Sequence, residues 1–324
     1  VSRGVGLVLL LLGALAVVAA APFVGPVRLP LGVVTDVFGS DSAARIFWQI
    51  RVPRVAAAFL GGAGLAVGGA VFQALFRNPL ATPYILGVAA GASFGVAAVA
   101  RVGVGVAVLG LGLQSWSALG GALLAVSVVW LLTRLRPDAA TSTLLLAGVS
   151  LNFFFSSLIL FLQYTASFAD AYRILRWLMG GLGGVDASAV VQMAPFVVVG
   201  VSAVLTFGRE LDLLATGSEL AASRGVAVAR TRTTLFVVTS LMIGGVVAAC
   251  GPIGFVGMMA PHICRLLLGP GHRLLLPVSA VFGGAFLVLC DVAARTVLSP
   301  AELPVGVITA FLGAPFFLWL LLRR

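Results

Sequence analysis

Few side chains in this sequence can do chemistry. The two histidines are His262, after Pro261, and His272, in a Gly/Pro turn. Nothing around either resembles a metal-ligand set, so both read as structural or capping groups and no metal site is expected. Cys250, Cys264 and Cys290 all sit in apolar stretches. An odd count at such places argues against a disulfide framework and for small core side chains. There is no His-Glu-x-x-His pair, no Gly-x-Ser-x-Gly elbow and no Walker glycine loop, so no catalytic residue is assigned. Ionisable residues inside apolar runs are scarce. Asp291 and Arg295 stand four apart on one helical turn, where each neutralises the other. Charge at membrane depth marks function by default; a local ion pair near a helix end is the other reading. A proton-coupled carrier should show more carboxylates near the midplane than this one Asp.

The elements that must hold these residues are membrane helices. The 324 residues are 61% hydrophobic and 9% charged, whereas a soluble domain carries about 25% charge. Folding always leaves a large exterior, so this much apolar surface faces lipid. Apolar runs fall at 5–24, 55–76, 83–100, 104–132, 142–163, 188–207, 234–251, 255–268, 275–298 and 305–322. A crossing helix needs about 20 such residues. The 104–132 run is long and Gly-broken, with room for an entry loop. The 255–268 run opens at Gly251-Pro252 and is short for a full crossing. Barrel strands would alternate apolar and polar residues, and these runs do not. Only helices or closed barrels satisfy the backbone in lipid. The expectation is an all-α polytopic membrane protein of about ten transmembrane helices, one permease-like domain over 1–324. The first run follows Arg3 and ends at Ala19-Ala20-Ala21, much as a signal peptide would; with so many spans behind it, a retained helix is preferred.

All 20 basic residues are Arg. With the N-terminus inside, 12 lie on the inner side and 8 on the outer, a weak positive-inside bias. They are dispersed between apolar runs, so no nucleic-acid partner is expected. Gly64 and Gly68, and Gly87, Gly91 and Gly95, recur at a spacing of four, which lets helix backbones approach closely. The inner segment 208–233 carries Arg209, Glu210, Asp212, Glu219, Arg224, Arg230 and Arg232. Its Leu and Ala pattern predicts short amphipathic helices outside the lipid. The outer segment 164–187, with Tyr172, Arg173, Trp177 and Gly180-Gly181, predicts a surface helix ending in a glycine break. With no ATP site in the chain, any ATP-driven work needs another subunit, and 208–233 is the natural place for it to dock.

An ordered set of motifs carries a resemblance across nearly the whole chain. Arg51-Val-Pro-Arg54 is followed by a Gly61–Gly69 glycine run, then Gln73, Arg77-Asn-Pro-Leu-Ala81 and Pro83-Tyr-Ile-Leu-Gly-Val. Leu144-Leu-Leu-Ala-Gly148, Trp177-Leu-Met-Gly-Gly181, Gly251-Pro-Ile-Gly-Phe-Val-Gly257, Pro261-His-Ile-Cys-Arg265, Glu302-Leu-Pro-Val-Gly306 and Gly313-Ala-Pro-Phe316 follow in order. Together they resemble the FecCD-type permease subunits of type II ABC importers for vitamin B12, haem and ferric siderophores.

The resemblance implies a permease homodimer in the bacterial inner membrane, two ATPase subunits on the cytoplasmic side, and a periplasmic or tethered substrate-binding protein. It implies a translocation path along the dimer interface and no permanently bound cofactor. By motif, Arg51, Arg54 and Arg295 match positions that meet carboxylates of the binding protein, and Arg suits that task because it stays charged and grips carboxylate bidentately. Asn78 and Leu80 match one cytoplasmic gate, and Thr141 and Ser142 the other. Glu219, Ala221, Ala222, Arg224 and Gly225 match the helices that couple to the ATPase, although Arg224 replaces a more usual apolar residue. Phe154, Phe161, Tyr164 and Phe168 are assigned to the translocation path. Aromatic walls with outer arginines suit a flat porphyrin with two carboxylates, so haem is the expected cargo. Vitamin B12 and ferric siderophores are the alternatives, and a stand-alone secondary transporter is the alternative of another class.

Overall fold

The computed structural model describes residues 3–37, 41–102, 107–108, 111–135 and 141–322. The chain enters as α1 (Arg3–Ala20), then α2 (Ser42–Arg45) runs through one π-helical stretch into α3 (Val52–Phe76). It continues as α4 (Val88–Val102), α5 (Leu113–Leu135), α6 (Thr141–Tyr164), the short α7 (Phe168–Leu178) and α8 (Ala187–Leu205). Two small helices, α9 (Gly208–Thr216) and α10 (Ser218–Ser223), precede α11 (Val228–Cys250), α12 (Val256–Leu268), α13 (His272–Thr296) and α14 (Val305–Leu322). Among the described residues, seven helical segments are long and apolar enough to cross a membrane, and three shorter apolar helices accompany them. Among the described residues the architecture is all-helical apart from a strand pair of two residues each, β1 (Ala107–Val108) and β2 (Leu111–Gly112). That pair and the start of α5 at Leu113 divide the Gly-broken 104–132 run, which is therefore not one helix.

α3 is the axis of the bundle. Its span is 83% buried, whereas that of α1 is 11% buried and presents its leucines outward. Water does not drive helices together inside lipid, so their association rests on close contact between small residues. The glycines of α3 supply it: a Cβ on Gly62 would lie 2.2 Å from the Gly283 carbonyl oxygen of α13, and one on Gly69 would lie 1.6 Å from the Gly257 oxygen of α12. α4 and α5 meet the same way, a Cβ on Gly91 falling 2.3 Å from the Gly121 oxygen.

Chain breaks are satisfied from elsewhere in the fold. α3 ends at Arg77, left-handed at φ 48°, and Pro79 prevents its continuation. α11 and α12 are parted by 251–255, where Gly251 and Phe255 both have positive φ. Unpaired backbone groups are costly in lipid. Here the Gly181 N–H donates to the Cys250 oxygen at 2.8 Å and the Gly306 N–H to the Gly180 oxygen at 3.1 Å. The Tyr84 hydroxyl accepts the Ile253 N–H at 2.8 Å. α12, with 13 residues, spans about 20 Å at 1.5 Å per residue, so it covers only part of a crossing.

Helices at the bundle ends are capped as their sequences dictate. α7 follows its N-cap Ser167, whose hydroxyl accepts the Asp170 N–H, and past its C-cap Met179 the chain turns away at Gly180, with φ 67°. Asp186 caps α8, accepting the Ala189 N–H at 2.9 Å; this bond holds the carboxyl below its ordinary value, so the cap persists at neutral pH and is lost as acid protonates it. The Asp212 carboxylate of α9 accepts the backbone N–H of His272 and faces its Nδ1, both at 2.7 Å. His272 thus fastens α13 to the inner-end helices.

Gly69→Ala is expected to destabilise the bundle by about 1–3 kcal/mol, because a methyl group has no room against the Gly257 carbonyl. Gly120→Ala, at a site with nothing within 4 Å, is expected to be neutral. Thermal unfolding of the two purified variants in detergent checks the contrast.

Candidate functional site

The outer end gathers the charges that the sequence scatters. α3 opens with Arg54, the last turns of α13 supply Asp291 and Arg295, and the following loop supplies Glu302. Arg54 donates from Nε to Asp291 Oδ1 and from Nη1 to Glu302 Oε2, each at 2.8 Å. Arg295 Nε lies 3.6 Å from Asp291 Oδ2, and its Nη2 donates to the Ala21 oxygen at 2.9 Å. Arg51 donates to the Pro22 oxygen at 3.0 Å and to the Val27 oxygen. The i,i+4 pairing of Asp291 with Arg295 is present, and a closer cation joins it: Arg54, 237 residues away.

Arg51, Arg54 and Arg295 are 5%, 6% and 2% exposed, and Asp291 is fully buried. Arginines matched to a docking surface are here folded inward onto partners in their own chain. The reason is that the segment after α1 lays its carbonyls over two of them, while Asp291 and Glu302 occupy the third. Motif spacing cannot register partners that are backbone oxygens of a distant loop. Asp291 Oδ2 and Arg295 Nε and Nη1 are buried without a hydrogen bond. Glu302 is the exception in the cluster, with 42% of its side chain exposed.

At the inner end, the Asn78 side chain accepts the Leu80 N–H at 2.9 Å, which closes a tight turn around Pro79 and leaves Leu80 41% exposed. Thr141 and Ser142 open α6, but their side chains lie outside the described residues. In α9 and α10, Leu211, Leu214 and Ala221 are buried against the bundle, while Glu219, Ala222, Arg224 and Gly225 are exposed. Gly225 takes φ 84°, a conformation that favours glycine and turns the chain into α11.

Phe154, Phe161, Tyr164 and Phe168 are all exposed, along one face of α6 that runs on into α7. A cavity of about 380 Å³ lies against a different face of α6, that of Asn152, Ser156 and Ile159, and is lined also by Tyr84, Ser93, Leu178 and Pro252 among others. Asn152 donates to the Tyr84 and Ile85 oxygens at 2.8 and 3.1 Å. None of these polar residues was singled out from the sequence for such a role. The available signal was a pair of interrupted helices, Pro83 to Gly87 and Gly251-Pro252, since breaks at membrane depth line cavities.

The FecCD transport family model matches residues 9–323. The chain is 42% identical to the vitamin B12 import system permease protein BtuC of Yersinia pseudotuberculosis, over 88% of this chain and 84% of that one. It is 42% identical to the cobalamin import system permease protein BtuC of Halobacterium salinarum, over 88% and 75%. It is 38% identical to the uncharacterized ABC transporter permease protein YvrB of Bacillus subtilis, over 93% and 88%. Among solved structures, a metal-chelate type ABC transporter in an inward-facing conformation superimposes with TM-score 0.85 at 29% identity, covering 97% of this chain and 99% of that one.

Asp291→Ala is expected to destabilise the protein by about 3–5 kcal/mol, since it strands the buried Arg54 and Arg295 charges. Glu302→Gln keeps an acceptor for Arg54 at the exposed edge and is expected to cost much less. Thermal melts of both variants read the difference.

Proposed function

Since the chain belongs to the FecCD transport family and is therefore an ABC importer permease, we propose that it works as a homodimer in a bacterial inner membrane, with two ATPase subunits at its inner end and a substrate-binding protein at its outer end. The observation that carries this reading is the α9–α10 pair. A helix lying on a membrane turns its apolar face to lipid. Here Leu211 and Leu214 are 0% and 1% exposed against the bundle, and the polar face is left for a partner. A stand-alone carrier has no need of such a surface.

Docking at the outer end proceeds, in this proposal, through Arg54, with Arg51 and Arg295 behind it. Asp291 is fully buried while Glu302 is exposed. A carboxylate on the binding protein can therefore reach Arg54 only by replacing Glu302, leaving the Asp291 bond intact. Such pairs fix orientation and encounter more than they add affinity.

For cargo, we propose a cobalt corrinoid first. Relatives at 42% identity are named for cobalamin and vitamin B12 import, and the hydroxyl and amide groups around the α4–α6 cavity suit a rim of amides. Haem is the second reading, favoured by the exposed Phe153, Phe154 and Phe161. Asn78 and Leu80 would form one inner gate, and Thr141 and Ser142 the other.

Reconstitution with the cognate ATPase and binding protein tests these roles. Loaded binding protein is expected to stimulate ATP hydrolysis with cobalamin and not with haem or ferric siderophores; the reverse order overturns the corrinoid assignment. Arg54→Glu is expected to weaken docking at least tenfold while basal hydrolysis persists. Uptake driven by a proton gradient without ATP would refute the ABC importer reading itself.

A further inference from the structure

The inner end holds a second charge arrangement, outside the motif-matched coupling residues. Arg77 is the left-handed C-cap of α3, one residue before the Asn78-Pro79-Leu80 turn. Arg232 lies in the first turns of α11. Both guanidiniums converge on the Gly217-Ser218 junction between α9 and α10. Arg232 Nη2 donates to the Ser218 hydroxyl at 2.8 Å, and a Cβ on Gly217 would lie 3.9 Å from Arg77 Nη1. Arg232 Nε is buried without a hydrogen bond. Among the described residues, neither guanidinium has a carboxylate within salt-bridge distance.

Two arginines brought to one junction without an in-chain carboxylate present a fork of donors fitted to one carboxylate. We propose that Arg77 and Arg232 form a recognition site for an Asp or Glu side chain of the ATPase subunit, so that one partner carboxylate ties the gate turn, the α9–α10 junction and α11 together. This rests on the importer reading given above and names a contact within it. A lipid headgroup is the less fitting occupant. Leu211 and Leu214 of α9 are spent on the bundle end, and the exposed flank of α10 mixes Glu219, Leu220, Ala222 and Ser223, with an acidic group where a membrane-lying face would carry basic ones. The consequence is mechanical: Arg77 is bonded through the backbone to the gate turn, so a partner that grips Arg77 moves Asn78 and Leu80 directly.

The absence of lysine from the chain gives a selective test. In the assembled permease–ATPase complex, Arg77→Lys and Arg232→Lys each create the sole lysine of the permease. A water-soluble carbodiimide activates a carboxylate; an amine in contact with it displaces the activating group, an amide forms, and the elements of water leave in the urea by-product. Peptide mapping is expected to show an amide between position 77 or 232 and an Asp or Glu of the ATPase. The double variant Arg77→Gln with Arg232→Gln is expected to weaken ATPase association at least fivefold. Products joined only to Glu210, Asp212 or Glu219 of the same chain, products joined to phosphatidylserine, or no product from an intact complex would each overturn the proposal while leaving the importer reading standing. Failure of the wild-type chain to bind its cognate ATPase would instead overturn that reading, and this site with it.

Discussion

The fold depends on backbone meeting backbone along α3. The Gly257 oxygen occupies space 1.6 Å from where a side chain on Gly69 would begin, and the Gly283 oxygen does the same at Gly62. Within lipid there is no gain from hiding apolar surface from water, so dispersion contact over short distances must hold the helices. Bare glycine faces maximise that contact. They allow α13, α12, α11 and α8 to pack around one buried helix, and the remaining elements take their positions from that group.

Close packing also sets where the chain can break. The 251–255 break sits against Gly180 and Gly306, and their N–H and carbonyl groups are traded among three separate segments. Phe255 is held at φ 66°, an outlying conformation for a bulky residue. Its ring lies against α14, where a Cβ on Gly313 would fall 2.3 Å from it. Strain of this kind persists where surroundings over-determine it, and it collects at functional breaks. The cavity lined by Ser93, Asn152 and Pro252 adjoins this region.

The two ends treat charge differently. At the outer end, three arginines are bonded inside the chain to two carboxylates and to loop carbonyls, with Glu302 as the accessible edge. At the inner end, Arg77 and Arg232 meet without an in-chain carboxylate among the described residues. A buried cluster bonded within the chain restrains the segments that it joins. An unbalanced one at a surface is suited to a partner. Both clusters involve α3, one at its start and one just past its end, so the same rigid helix links the two proposed docking regions.

The sequence by itself determined the class of molecule. Runs of apolar residues require lipid, and their lack of alternation requires helices. The charged 208–233 stretch and the Gly180-Gly181 break could also be read directly, because amphipathic spacing and glycine termination act over a few residues. The ordered motifs identified the family for the same reason. Tertiary structure alone decided who pairs with whom. Asp291 and Arg295 stand four residues apart, yet the nearer cation is Arg54, because α3 and α13 are locked together by glycines far from either charge. Arg51 and Arg295 are buried because carbonyls of residues 21–27 happen to cover them. Local chemistry is written in neighbouring residues, whereas desolvation depends on which distant segment arrives to exclude solvent.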